Sequence, residues 1–285
     1  MTCISCGSSS NSIIFDNSFL EIPITQCNSC KLIATGESIE QLDKTMKKYY
    51  ANATPVGEIK DTIDLDHKTN HGSYLMNLWK SHFDYCFPLF NESKNLLEIG
   101  PGTGLALRLF ENKGFSVTGV EANSKYVDFI NDKLIHGKCI QGFAEDFKIN
   151  TKFDIIWLSH VFEHLIRPDL LLQKCSELLS NNGFIFIAVP DCQNPKILNQ
   201  SVFDNASSYH YTKNTLKTLV EKNNLEIIKC ESYREFVRIE GRGQLTIKKY
   251  FPSLSKQICP FYPFKKTDDD NGIEIRIQIR KKNIS

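Results

Sequence analysis

An α/β protein, with a mostly parallel sheet covered on both faces by helices and a small cysteine-rich module ahead of it, is what three features of the sequence predict. Strand-like and helix-like apolar runs alternate from residue 94 onward. A glycine-rich turn, "LLEIGPGTG" at residues 96–104, follows directly on the first of those runs. Two CxxC motifs stand within the first thirty positions, as Cys3 and Cys6, then Cys27 and Cys30.

A chain of 285 residues has room for one large α/β domain and a small appendage. Lys+Arg of 34 against Asp+Glu of 33 leaves a formal net charge of +1, so no global field attracts a polyanion, and nucleic acid is not an expected partner. No run approaches the ~20 apolar residues that span a bilayer, and the opening "MTCISCGSSS" lacks the basic and apolar segments of a signal peptide. A soluble cytoplasmic protein without a membrane partner is expected.

In chain order, the cysteine module comes first, at residues 1–37. Without an export signal, two CxxC pairs at this separation have the spacing of a tetrahedral thiolate zinc site rather than of a redox pair. Four sulfurs close the coordination sphere, so the expected role of the metal is structural. The intervening "GSSSNSIIFDNSFLEIPIT" can form a hairpin between the two knuckles. So short a segment buries too little core to fold alone, and the ion would supply its folding energy. The other six cysteines are scattered singly and read as small buried hydrophobes.

Residues 38–93 read as a helical connector or cap. Tyr74, Leu75, Leu78, Trp79, His82 and Phe83 recur at three- and four-residue spacing, the mark of a helix with one apolar face. From residue 94 to 285 the main domain follows: strand "NLLEIG", helix "GLALRLFENKG", strand "FSVTGVE", helix "NSKYVDFINDKL", strands "KCIQGF" and "FDIIWLS", helix "PDLLLQKCSELLSNNG" and strand "FIFIAVP". Such alternation implies a parallel sheet with crossovers on both faces, and ligands then bind at the carboxyl ends of the strands. An aromatic-rich insert occupies about 240–270.

A dinucleotide-binding turn reads G-x-G-x-x-G, whereas here Gly104 comes one position early, after Gly100 and Gly102. "EIGPGTG" instead resembles the first motif of class I S-adenosylmethionine-dependent methyltransferases. "GFAEDF" (142–147) is similar to the family's third motif, and "HVFEH" (160–164) resembles the segment found in its quinone-biosynthesis and sugar methyltransferase subgroup. "YHYTKNTLKTLVEKNNLEIIK", with Thr212 as N-cap, and a closing antiparallel strand "GIEIRIQIRKK" extend the resemblance. It implies a Rossmann-like methyltransferase sheet and S-adenosylmethionine as cofactor. It assigns Glu98, Gly100, Gly102, Gly104, Glu121, Ala144, Glu145 and Ser159 to cofactor binding, with Glu121 ending the second strand where an acid holds the ribose. The cysteine knuckles resemble the zinc module of certain sugar C-methyltransferases, whose long C-terminal domain has no counterpart in these residues.

The cofactor's methyl is electrophilic already, so the enzyme's task is to align an acceptor and take its proton where that acceptor is an alcohol. His160, at the end of the fourth strand of the domain, is the first candidate base, with His164, His210 and the neighbouring Glu163 behind it. Arg234, Arg238 and Arg242 recur at four-residue spacing; on a helix they would share a face and grip an anionic acceptor. The expected function is methylation of a small polar metabolite, neutral or anionic, such as a sugar or nucleotide-sugar. Two alternatives stand beside it: an RNA methyltransferase whose zinc module engages nucleic acid, and a binding protein that keeps the fold without turnover.

Overall fold

The computed structural model describes residues 2–52, 70–90, 94–235 and 264–282. Its central sheet has eight strands, in spatial order β11 (Phe264–Thr267), β10 (Leu225–Glu235), β12 (Glu274–Lys281), β8 (Leu179–Pro190), β7 (Phe153–Ser159), β4 (Asn95–Ile99), β5 (Ser116–Glu121) and β6 (Lys138–Gln141). β4 to β8 are parallel neighbours, and β12 runs antiparallel between β8 and β10. β11 adds a second antiparallel strand beyond β10. The chain moves outward from β4 to β6, then returns to the other side of β4 with β7. Carboxyl ends of β4 and β7 therefore diverge at a topological switch point, where a crevice opens.

Strands of this sheet are apolar on both faces because helices cover both. Leu96, Ile155, Trp157, Phe184 and Phe186 point to one side and pack with α2 (Asn70–Cys86), α3 (Leu105–Glu111) and α4 (Ser124–Lys133) through Trp79, Phe83, Phe110 and Ile130. Leu97, Ile99, Ile156, Leu158, Ile185 and Ile187 point to the other, against α5 (Pro168–Leu178) and α7 (Lys213–Lys222). Thr212 caps α7 with a reciprocal pair of bonds to Thr215, as its sequence position suggested. The helix read over 168–183 is shorter than expected: it stops at Leu178, and Leu179 already pairs with Phe153 as β8 begins.

A second sheet holds β1 (Asn11–Phe15), β2 (Ile24–Cys27) and β3 (Ile33–Thr35), all antiparallel, and its fourth strand is β9 (Tyr209–His210) from far along the chain. The expected hairpin between the knuckles is β1–β2. The module does not stand apart: Cys3, Cys27, Leu32 and Ala34 pack in the same core as Leu158 and Leu216. Ile24 and Ile33 also pack on Val202 of α6 (Pro195–Phe203). α2, read from sequence within the connector, is likewise built into the central core, whereas Leu42 and Met46 of α1 (Ile39–Asn52) pack beside the crevice with Ile166 and Ala206.

Candidate functional site

Two cavities meet at His160. The first, about 360 Å³, lies over the carboxyl ends of β4, β5 and β7 and is lined by Gly100, Gly102, Glu121, Ala144 and Val161, with Met46 and Tyr49 of α1 as its far wall. The second, about 370 Å³, is bounded by Pro190 at the end of β8, Ile273 and Glu274 at the start of β12, and Ile197, Gln200, Ser201 and Asn205 on and after α6. His160 is the residue common to both linings.

The turn after β4 explains its glycines. Gly100, Gly102 and Gly104 have φ of 67°, 56° and 73°, a left-handed conformation that costs an L-residue about 1–2 kcal/mol. At Gly100 a Cβ would stand 2.5 Å from Val161 Cγ2, and at Gly104 2.7 Å from Ile130 Cγ1, so both are places where packed elements approach closely. At Gly102 a Cβ would meet nothing within 4 Å, because that position faces the first cavity. Gly102 N–H donates to Glu121 Oε2 at 3.1 Å, and Asn123 N–H donates to Oε1 at 2.9 Å, fixing the acid at the tip of β5. Burial raises the Glu121 carboxyl above its ordinary value, against these two donors.

Ala144 and Glu145 also line this cavity. Glu145 Oε1 accepts from Ile166 N–H at 2.9 Å, tying the 142–147 loop to the segment after β7. Three residues assigned from sequence to cofactor binding lie elsewhere: Gly104, which packs on Ile130, and two more. Glu98 is buried beneath the turn, where it caps Leu107 N–H; burial pushes its carboxyl up to about 8, and Oε2 has no partner. Ser159 points to the opposite side of the sheet end and lies 3.4 Å from His82 Nδ1.

His160 sits at φ 55°, a strained position for a non-glycine residue, and both of its ring nitrogens face carboxylates. Nε2 is 2.8 Å from Glu274 Oε2, and Nδ1 is 3.7 Å from Glu163 Oε1. Burial opposes its charge, but Glu163 and Glu274 outweigh it and push the imidazole up to about 10. A base must offer a nitrogen lone pair to the acceptor; this geometry instead holds an imidazolium. His160 stands at the strand end as the sequence suggested, and the carboxylates facing both ring nitrogens favour its protonated form.

Those partners form a buried network that the sequence reading missed. Glu274 Oε2 also takes His82 Nε2 at 2.9 Å, and its Oε1 takes Arg276 Nε at 2.5 Å. Arg276 continues to Ser81, on α2, and Gln278 Nε2 donates to Tyr85 O on the same helix. Burial drives His82 down to about 4, so it is neutral, whereas the Arg276 charge and the hydrogen bonds from His160 and His82 hold Glu274 well below the usual carboxylate range against the cost of its burial. His82, His160 and Glu274 lie close enough to ligate one cation. With Glu163 and Glu274 ionised, Arg276 and the His160 proton already balance the charge, so a proton fits this cluster better than a divalent ion.

The remaining candidates separate. Glu163 is buried, with Oε1 3.7 Å from His164 Nε2 as well as from His160, and its carboxyl is lowered despite burial by His164 and His160. His164 lines the first cavity and its Nδ1 lies 2.9 Å from Ala206 O. His210 does not reach either cavity: it is buried in β9, bonded through Nδ1 to Ser201 Oγ at 2.8 Å, and burial drives it down to about 3. Arg234 lies on strand β10 rather than a helix, paired with Asp269 at 3.3 Å. Arg238 and Arg242 lie outside the described residues.

At the N-terminus the four cysteines converge. Cys3 and Cys30 sulfurs are 3.5 Å apart, as are those of Cys6 and Cys27, and all four lie within 4.8 Å of one another. A tetrahedron with zinc–sulfur bonds of ~2.3 Å has edges of ~3.8 Å, so the donor set fits that ion.

The crevice at the switch point, its positive-φ glycine turn and the acid bound to that turn are those of a Rossmann-like methyltransferase. The chain belongs to the methyltransferase-domain family, which it matches over residues 71–229. It is similar to the ubiquinone biosynthesis O-methyltransferase of Chelativorans sp. (strain BNC1), at 30% identity over 106 residues that cover 34% of this chain and 40% of that protein. It is also similar to the mitochondrial ubiquinone biosynthesis O-methyltransferase of Schizosaccharomyces pombe, at 28% over 130 residues, or 41% and 47% of the two chains. The chain thus spans less than half the length of these curated relatives. Among solved structures, the plantazolicin methyltransferase BamL superposes with a TM-score of 0.57 at 14% identity over 86% of this chain and 97% of its own. An S-adenosylmethionine-dependent methyltransferase from Clostridium acetobutylicum ATCC 824 gives 0.53 at 11%, over 72% and 91%. Likeness at these identities is one of fold. No helix among the described residues is long and apolar enough to cross a membrane.

Proposed function

We propose that the chain is an S-adenosylmethionine-dependent methyltransferase acting on a small polar metabolite such as a sugar, with a structural zinc ion at Cys3, Cys6, Cys27 and Cys30. One observation carries the cofactor reading: Glu121, fixed by Gly102 and Asn123 N–H groups, stands in the first cavity where an acid can take the two hydroxyls of a ribose. Gly100, Gly102 and Ala144 give that cavity a backbone wall free of bulky side chains, and Met46 and Tyr49 close it from α1.

When bound, the cofactor supplies an electrophilic methyl group. The protein's part is to exclude water, to orient the acceptor and to manage charge. His160, at the seam between the cavities, has both ring nitrogens turned to Glu163 and Glu274, so it orders the acceptor end of the cofactor cavity rather than giving or taking a proton. Cys3, Cys6, Cys27 and Cys30 would hold the zinc with four thiolates, leaving no open position for chemistry, and it would tie the two knuckles into the core.

Calorimetric titration of the full chain with S-adenosylhomocysteine, beside NAD, tests this reading. Micromolar binding that NAD does not show and that Glu121→Ala loses is the expected result. Binding that survives Glu121→Ala, or no binding by the wild type, would overturn it.

A further inference from the structure

The second cavity is built for a different ligand from the first. It abuts the first at His160, so whatever occupies it lies beside the end of the cofactor cavity nearest that imidazole. Its wall on α6 presents neutral hydrogen-bonding groups. Gln200 and Asn205 are exposed there, and the Asn205 amide nitrogen donates to Gln200 O at 3.3 Å, which leaves Oδ1 to accept from a ligand.

Ser201 adds a hydroxyl whose orientation is set from behind. Its Oγ is 2.8 Å from His210 Nδ1, and His210 Nε2 has no partner. A buried unpaired N–H costs more than an unpaired lone pair, so the proton of neutral His210 belongs on Nδ1, donated to Ser201. The Ser201 O–H then remains a donor and is taken by Cys192, so this buried serine backs the wall without reaching into the cavity.

Charge on the floor is already cancelled. His160 and Glu274, which form it, are paired with each other and with Glu163 and Arg276. The described lining holds no lysine or arginine to take a phosphate, and its one aromatic ring, the His160 imidazole, is held between two carboxylates; Pro190, Ile197 and Ile273 supply its apolar part. Arg234, a candidate for gripping an anion, is engaged with Asp269 on β10.

We infer that the second cavity is the acceptor site and that it takes an uncharged, polyhydroxylated ring, a pyranoside face, with Gln200 and Asn205 reading its hydroxyls. This specificity rests on the methyltransferase reading, but the site can be tested apart from it. Saturation-transfer NMR on the full chain would use a panel of neutral methyl glycopyranosides (gluco, galacto, manno, fuco and rhamno). Glucose 6-phosphate and 3,4-dihydroxybenzoate serve as anionic and aromatic comparisons. At least one neutral glycoside should bind in preference to both comparisons, and Gln200→Ala/Asn205→Ala should weaken it at least tenfold, whereas Asn199→Ala, exposed on the same helix, should not.

Preference for the phosphate or the aromatic acid, equal binding by the double variant, or no binding by any neutral glycoside would overturn the inference. A parallel S-adenosylhomocysteine titration separates the two readings. Glycoside binding without cofactor binding would sink the methyltransferase assignment and leave this site standing; the converse would do the opposite.

Discussion

Gly100 and Gly102 are two positions apart and both left-handed, yet alanine at each should fail in a different way. At Gly100 the new Cβ would enter Val161 at 2.5 Å on a backbone with φ 67°. Left-handed strain of about 1–2 kcal/mol adds to an overpacking cost of about 1–3 kcal/mol, for a total of about 2–5 kcal/mol. At Gly102, φ 56°, the Cβ meets no protein atom, so only the strain remains, about 1–2 kcal/mol. That Cβ stands instead in the space of the ligand. Urea unfolding should therefore show Gly100→Ala as the clearly less stable protein. Calorimetry should show Gly102→Ala, still folded, losing S-adenosylhomocysteine affinity by tenfold or more. Equal destabilisation by the two substitutions, or a Gly102→Ala protein that binds as well as wild type, would refute the argument that one glycine serves packing and the other the ligand.

Metal analysis of protein purified without chelator should give one zinc per chain, lost in Cys27→Ser; a second ion lost in His82→Ala would mean that His82, His160 and Glu274 hold a cation after all. Glu98, pushed up to about 8 by burial, keeps a proton in the folded state that the unfolded chain releases near its ordinary value of 4.5. Stability is therefore lost as pH rises from about 4.5 through about 8, and Glu98→Gln should show a smaller drop in urea midpoint between pH 6 and 8.5 than wild type; parallel drops would remove Glu98 as the cause. His160 has the opposite bearing on its charge, because its folded value of about 10 exceeds the ordinary 6.5. Its stabilising contribution is complete below pH 6.5 and disappears as pH rises through about 10, and nitrogen NMR should find both ring nitrogens protonated at pH 8. A neutral ring at that pH would restore His160 as a candidate base.

Much of this was legible in the sequence where a local rule and the tertiary fold agree. The glycine register, Glu121 at the end of β5 and Thr212 as a cap each depend on backbone geometry within a few residues. The buried network was not legible, because its members are far apart in sequence and each has an ordinary local explanation. His82 falls on the apolar face of α2 and reads as core. Glu274, Arg276 and Gln278 alternate with Ile275, Ile277 and Ile279, the pattern of a strand with one wet face; here α2 covers that face and takes all three polar side chains. The available signal was the number of charged residues on a strand that the structure places inside the sheet. Arg234 failed for a related reason: four-residue spacing suggests a helix only where the segment is helical, and β10 continues through Glu235.

β9 joins the cysteine sheet only after most of the chain has been made. Ile33 pairs with His210, so during synthesis β3 waits as an open edge beside four thiols. Until its partner emerges, the knuckles would be held by the proposed zinc alone, and a ribosome-bound chain deprived of that ion would present reactive sulfur and an unpaired strand together. If the proposed zinc is bound, its early capture would protect the nascent chain as well as stabilise the finished one, and zinc shortage should show first in newly made protein, as aggregation, rather than in the mature pool.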